Sequence, residues 1–135
     1  MQAVCNQRED ITYLGRYSAW VELPNGAKMH LLHPMGGASY ASSYRPQKIV
    51  ESYEGGSKPG LLIIGHWHRS GYFPSRGVHV LLGGTFQGPT TYSVRKAFGA
   101  PGFGFWIIEC TLADDGSIVR FKPEWLPFYV GREVA

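Results

Sequence analysis

Long apolar runs and cysteines are both scarce in this sequence, and each scarcity excludes a class of protein. The longest aliphatic run is Leu61 to Ile64, far short of the roughly 18 to 20 residues that a membrane-spanning helix needs. Only Cys5 and Cys110 are present, too few for a disulfide framework and typical of reduced thiols. The first residues lack the basic and apolar stretches of a signal peptide, so we expect a cytoplasmic protein.

Charged side chains are also few, at 17% of the 135 residues, with a formal net charge of +3. The only adjacent basic pair is Arg95 with Lys96. A dedicated DNA-binding protein has a clustered basic face, and no such cluster stands out along this chain. The charge is compatible with a phosphate-bearing or nucleic-acid ligand, and it is equally ordinary for a slightly basic soluble protein.

Glycine and proline are abundant, with 18 and 9 residues, which excludes a bundle of long helices. Runs rich in aromatic, β-branched and aliphatic residues, each bounded by turn residues, predict strands. These runs lie at 13–23, 27–33, 61–64, 78–82, 103–112 and 118–121.

A single helix is predicted between Tyr44 and Tyr53, with Ser43 as a candidate N-cap and two glycines ending it. An Asp-Gly turn within residues 113–116 indicates that the last two strands form a hairpin. The predicted fold class is therefore α+β, mostly β with one or two short helices. No repeat or composition shift divides the chain, so we expect one domain over residues 1–135.

Three histidines, His33, His66 and His68, follow predicted strands. In an extended backbone the side chains at i and i+2 point to the same side, so His66 and His68 can share one metal only outside a helix. The intervening helix has the right length for a crossover between parallel strands, which would bring His33 to the same sheet edge. A His-x-His pair is also common by chance, so a structural role stays open. We interpret His30 and His79, inside strands, as core or surface histidines.

These residues carry a resemblance. The strings Leu-Leu-His-Pro-Met-Gly-Gly, containing His33, and Leu-Leu-Ile-Ile-Gly-His-Trp-His, containing His66 and His68, resemble the last two metal-binding motifs of calcineurin-like metallophosphoesterases. The later Gly-Gly-Thr-Phe-Gln also resembles the strand and loop that follow in that family. The resemblance runs from about Tyr13 to Trp125.

The resemblance implies a β-sandwich flanked by helices that holds two divalent metals, Mn, Fe or Zn. His33 and His66 would then bind one metal and His68 the other. Two such metals about 3.5 to 4 Å apart activate a bridging hydroxide for attack on a phosphate mono- or diester.

The family's earlier motifs are absent from this chain. Neither Asp-x-His, Gly-Asp-x-x-Asp nor Gly-Asn-His occurs, and these supply the bridging carboxylate and the remaining ligands. The chain resembles the C-terminal part of such a domain and supplies only part of the ligand set. We therefore expect it to need an N-terminal-half partner chain, or to self-associate, and to be inactive alone. The strand at 61–64, apolar on both faces, should lack part of its cover.

Three further side chain types lie near these motifs. Arg45 is a candidate for binding a substrate phosphate through its guanidinium, and a solvated helix terminus is the alternative. Tyr40 and Tyr44 could stack on a nucleobase, but we predict them to be packing residues. Trp67, between two candidate ligands, is expected to shield the site.

Three functions fit the sequence. The first is metal-dependent phosphoesterase activity, incomplete without an N-terminal half. The second is a catalytically inactive relative that acts as a binding module for a partner or a nucleic acid. The third is a mononuclear zinc hydrolase with His33, His66 and His68 as ligands, which lacks an evident base because only Glu51 and Glu54 lie nearby in sequence.

Overall fold

The computed structural model describes residues 2–88, 91 and 102–128. The Arg95 and Lys96 pair and the end of the glycine-rich loop at 83–90 lie outside these ranges. The α-helices and strands of the described ranges are, in chain order, α1 (Gln2–Cys5), β1 (Ser18–Glu22), β2 (Lys28–Leu32), α2 (Tyr44–Ser52), β3 (Leu61–Ile64), β4 (Ser70–Tyr72), β5 (His79–Gly83), β6 (Gly104–Leu112) and β7 (Ile118–Pro127). A 3-10 turn at Pro24–Gly26 joins β1 to β2.

Five strands form one mixed sheet in the order β1-β2-β3-β5-β4, and β6 pairs with β7 in a separate two-stranded sheet. Strands β2, β3 and β5 are parallel neighbours, and the two edge strands run antiparallel to them. The predicted α+β class, mostly β with short helices, is confirmed. So is the crossover through α2 that places β2 beside β3.

Helix α2 covers one face of the five-stranded sheet. Val50 of the helix is fully buried against alternate residues of β3 and β5, which point to the same face in a strand of period two. The members of this core cluster are Val50, Leu62, Ile64, Val78, Val80 and Leu82. Burial of these aliphatic side chains supplies the main hydrophobic stabilisation of the sheet.

The β6–β7 hairpin covers the opposite face. Phe121 of β7 stacks on His79 of β5, with ring centroids 4.1 Å apart. The Trp106 indole N–H donates to the Leu82 carbonyl at 2.9 Å, which ties β6 to the end of β5. The predicted gap in the cover of β3 is largely wrong, because the hairpin and α2 bury Leu61, Leu62 and Ile64 and leave only Ile63 half-buried.

Local details differ from the sequence-based expectation at several points. The first strand begins at Ser18, five residues later than predicted, and the short edge strand β4 was not predicted at all. Helix α2 matches within one residue, but the Ser43 side chain makes no capping hydrogen bond. The turn before β2 has Asn25 and Gly26 at positive φ, as its composition predicts. No helix in the described part of the chain is long and apolar enough to cross a membrane.

His30 is buried under β1 and α2 with both ring nitrogens hydrogen-bonded. Nδ1 lies 2.5 Å from the Tyr53 hydroxyl and Nε2 lies 2.7 Å from Ser18 Oγ, while Trp20 stacks on the ring. Burial lowers the pKa of His30 below 6.5 and raises the pKa of Tyr53 to about 12. The network therefore holds a neutral imidazole between two neutral hydroxyls.

We expect Leu62→Ala to lower the free energy of unfolding by about 2 to 5 kcal/mol, because it opens a cavity in the fully buried cluster. Ile107→Ala, at a side chain that is 50% exposed, is the matched control and should cost much less. Urea unfolding followed by circular dichroism measures both. Equal losses in the two variants would contradict this account of the core.

We also expect stability to fall as the pH drops below 6.5. The pKa of His30 is lowered by burial, so below 6.5 the unfolded chain binds a proton that the folded chain does not. The loss begins at about pH 6.5 and ends near the folded-state pKa. His30→Gln should reduce this dependence without abolishing it, because burial also lowers the pKa of His79, which contributes with the same sign. Ser18→Ala, which keeps the imidazole of His30, should retain it. Urea midpoints between pH 5 and 8 test this, and parallel curves for wild type and His30→Gln would refute it.

Candidate functional site

The loops that follow β2 and β3 meet at the carboxyl edge of the parallel strands. The Gly65 N–H donates to the Leu32 carbonyl at 2.9 Å, which extends the β2–β3 pairing one residue into the loops. This register places His33 beside His66, with ring centroids 4.7 Å apart and planes inclined by 59°. Both side chains are exposed. The structure thus brings together two of the three histidines predicted to bind metal.

His66 and His68 lie on a tight turn and not on an extended segment. Their φ angles are 73° and 52°, a left-handed conformation that is uncommon for residues other than glycine. The Trp67 N–H donates to the Gly65 carbonyl at 2.9 Å across this turn. The simple i, i+2 alternation that predicted a shared direction for His66 and His68 therefore does not apply here. That these residues are not helical is confirmed.

The described residues do not fit a complete metal centre. Among residues 2–88, 91 and 102–128, no three or more His, Cys, Asp or Glu side chains are grouped so that they could hold a metal ion. Imidazole nitrogens suit Mn, Fe and Zn, but a zinc site in a protein ordinarily has three or four protein ligands. His33 and His66 supply two. The expectation of two divalent metals stays a prediction, and it requires ligands beyond this pair.

Arg45 stands at the start of α2 and holds the loop that follows His33. Its guanidinium donates to the carbonyl oxygens of Gly37 and, at 2.9 Å, of Met35. It also lies over the Trp67 ring, with Cζ 4.9 Å from the ring centroid. The proposed contact with a substrate phosphate stays a prediction. In this structure the guanidinium joins the His33 loop to the His66 turn.

Trp67 and Arg69 complete this attachment from the other loop. The Trp67 indole N–H donates to the Gly36 carbonyl at 3.1 Å, and the ring packs against the core under α2. Arg69 Nη1 donates to the Ser39 carbonyl and to Ser42 Oγ, each at 3.0 Å. Sequence reasoning missed Arg69, because its partners lie 27 and 30 residues earlier and no local motif signals them.

The prediction that Tyr40 and Tyr44 are packing residues is wrong. Tyr40 is fully exposed and Tyr44 is 56% exposed, and Met35 on the same loop is 85% exposed. Met35 and Tyr40 lie on the loop that the side chains of Arg45, Trp67 and Arg69 hold in place. Tyr44 follows this loop in the first turn of α2. We define the histidine edge as His33 with the loop 34–43, the turn 65–69 and the first turn of α2.

Comparisons with known proteins add one structural likeness. No family model matches the sequence, and no curated protein matches it. Among solved structures, a single mutant of Vps29 from Entamoeba histolytica is similar, with a TM-score of 0.46 and 19% sequence identity. The likeness covers 87% of this chain and 65% of that one, so the chain spans less than two thirds of its length. At this identity and TM-score the likeness assigns neither a family nor an activity.

Proposed function

We propose that this chain is a binding module with a metallophosphoesterase-like architecture, which does not hydrolyse phosphate esters by itself. One observation carries the proposal: the histidine edge presents two adjacent imidazoles without a carboxylate. No Asp or Glu occurs in residues 31–45, 65–69 or 83–88, which form the loops along this edge.

A two-metal hydrolase needs more than these residues offer. Two ions stay at a working separation only when several ligands, including a bridging group, surround them. A mononuclear zinc hydrolase needs three protein ligands and a base within hydrogen-bond reach of the attacking water. His33 and His66 supply two donors, and the carboxylate of Glu51 is paired with Lys48 at 2.8 Å instead of facing the edge.

The arrangement of the edge favours binding. Side chains of Arg45, Trp67 and Arg69 hold the loop 34–43 through hydrogen bonds to backbone carbonyls and a hydroxyl. A loop fixed before binding loses less conformational entropy when a partner docks. It presents exposed aromatic and apolar side chains, the residue types that dominate contact energies at interfaces.

A second candidate keeps the enzyme activity but assigns it to an assembly. The adjacency of His33 and His66 favours it, because two imidazoles 4.7 Å apart would form half of a metal site once another chain added carboxylates. Such a chain would carry the Asp-x-His, Gly-Asp-x-x-Asp and Gly-Asn-His motifs that are missing here. Pairing with such a partner, and self-association, both stay predictions.

We expect the isolated chain to hydrolyse bis(p-nitrophenyl) phosphate in manganese no faster than its His66→Ala variant, because the ligand set is incomplete. Release of p-nitrophenol measures this, and equilibrium dialysis should show weak uptake of the metal. Ile107→Ala, at a half-exposed side chain of the hairpin, is the control for handling and purity.

The opposite result has a defined form. Metal-dependent turnover by the chain alone would overturn the binding module if Ile107→Ala retained it and each histidine variant lost it. That result, with His33→Ala, His66→Ala and His68→Ala all inactive, would favour the three-histidine zinc enzyme. Turnover that appears only after a chain with the missing motifs is added would support the second candidate.

A further inference from the structure

The histidine edge carries positive charge, and among the described residues no ion pair involves its two arginines, Arg45 and Arg69. Arg45 donates to the carbonyl oxygens of Met35 and Gly37, and Arg69 donates to a carbonyl and a hydroxyl. These acceptors carry no formal charge, so they do not compensate the charges of the two guanidinium groups. Both side chains are half-buried, which leaves part of each accessible to a ligand.

Carboxylates are scarce in the part of the sequence that forms this edge. Residues 23–108 contain only two acidic residues, Glu51 and Glu54, against eight Lys and Arg, of which Arg45 and Arg69 lie on the histidine edge. Glu51 lies near the far end of α2, where it pairs with Lys48 at 2.8 Å and Arg76 at 3.5 Å. The overall net charge of +3 hides this asymmetry, because the acidic residues are concentrated before residue 23 and after residue 108.

The start of α2 adds to the same field. The nine-residue helix begins at Tyr44 on the histidine edge, and the Ser43 side chain makes no capping hydrogen bond. The N-terminal end of a helix carries a partial positive charge, which favours an anion. Its contribution reinforces the two guanidinium groups and does not stand alone.

Aromatic rings lie beside this charge. Tyr40 is fully exposed, and Tyr44 is 56% exposed in the first turn of α2. Tyr40 lies between two residues, Ser39 and Ser42, that Arg69 holds through hydrogen bonds. An aromatic ring left in water on a fixed loop offers its face for stacking without a large ordering cost.

From this juxtaposition we infer that the histidine edge binds single-stranded nucleic acid, with bases stacked on Tyr40 and Tyr44 and phosphates near Arg45 and Arg69. Proteins that bind single strands combine exposed aromatic rings with positive charge along the backbone path. A duplex keeps its base faces stacked internally, so the tyrosines favour a single strand. This inference names a ligand for the binding module proposed above and rests on that proposal.

The test uses the full chain in EDTA and a fluorescein-labelled 15-mer of deoxythymidine, with binding read by fluorescence anisotropy. We expect a dissociation constant on the order of 1 to 100 μM at moderate salt. The affinity should fall as salt rises, with a slope of about −1.4 in log K against log salt if two phosphates are neutralised. The duplex of the same length and a polyglutamate 15-mer should each compete much less well.

Variants separate stacking from charge. Tyr40→Ala and Tyr44→Ala should each weaken binding by roughly 5- to 150-fold, the range for losing one base–aromatic stack, while Tyr40→Phe keeps the affinity. Arg45→Gln and Arg69→Gln retain an amide donor for the loop, and each should reduce the salt slope by about 0.7. Ile107→Ala, exposed on the hairpin, is the control and should bind as wild type does.

Two outcomes would overturn the inference. One is no change in anisotropy at about 100 μM protein, where even non-specific binding is measurable. The other is that polyglutamate competes as well as the oligonucleotide and that Tyr40→Ala binds with unchanged affinity. This result would identify an acidic polypeptide as the partner. Either outcome leaves the proposed binding module intact if the chain also shows no hydrolysis of the phosphodiester. Metal-dependent turnover together with binding of the 15-mer would instead overturn the non-catalytic function, while the inference of a nucleic-acid ligand would still hold.

Discussion

Parallel pairing of β2 with β3 is the constraint on which the histidine edge depends. Successive parallel strands require a crossover, and α2 provides it while its buried Val50 seals the core on one sheet face. Because both strands end at the same edge, the residues that follow them are brought together although 33 positions separate His33 from His66. The aliphatic residues of β3 make this pairing stable, since folding removes their apolar surface from water.

The second level of organisation is the attachment of one loop to another by long polar side chains. Arg45, Trp67 and Arg69 donate to consecutive parts of the segment 35–42, so a glycine-containing loop has a defined path. These donors satisfy backbone carbonyls that would otherwise depend on water. The consequence is a surface on which charge and aromatic rings are held in fixed positions before any ligand binds.

Two histidines away from the edge show how the same side chain serves packing. His30 lies between Trp20 and Tyr53, and His79 lies between Tyr72 and Phe121, each in contact with aromatic rings and one or two hydroxyl groups. Burial lowers the pKa of both imidazoles and so favours their neutral form. The exposed pair at the edge has no such enclosure. All four residues are histidines, so the surroundings of each ring decide whether it is structural or available to a ligand.

The sequence by itself determined the elements: the strand of four aliphatic residues at 61–64, the helix from Tyr44, the Asp-Gly hairpin and the location of three histidines after strands. These depend on local propensity, period and turn chemistry, which act within a few residues. Only the tertiary structure decided that His66 and His68 occupy left-handed conformations. The same holds for the hydrogen bonds of Arg45 and Arg69 to backbone carbonyls. It also holds for the exposure of Tyr40 and Tyr44 to solvent. Those outcomes depend on contacts between segments up to 31 positions apart, as between Trp67 and Gly36, where no local pattern specifies the partner.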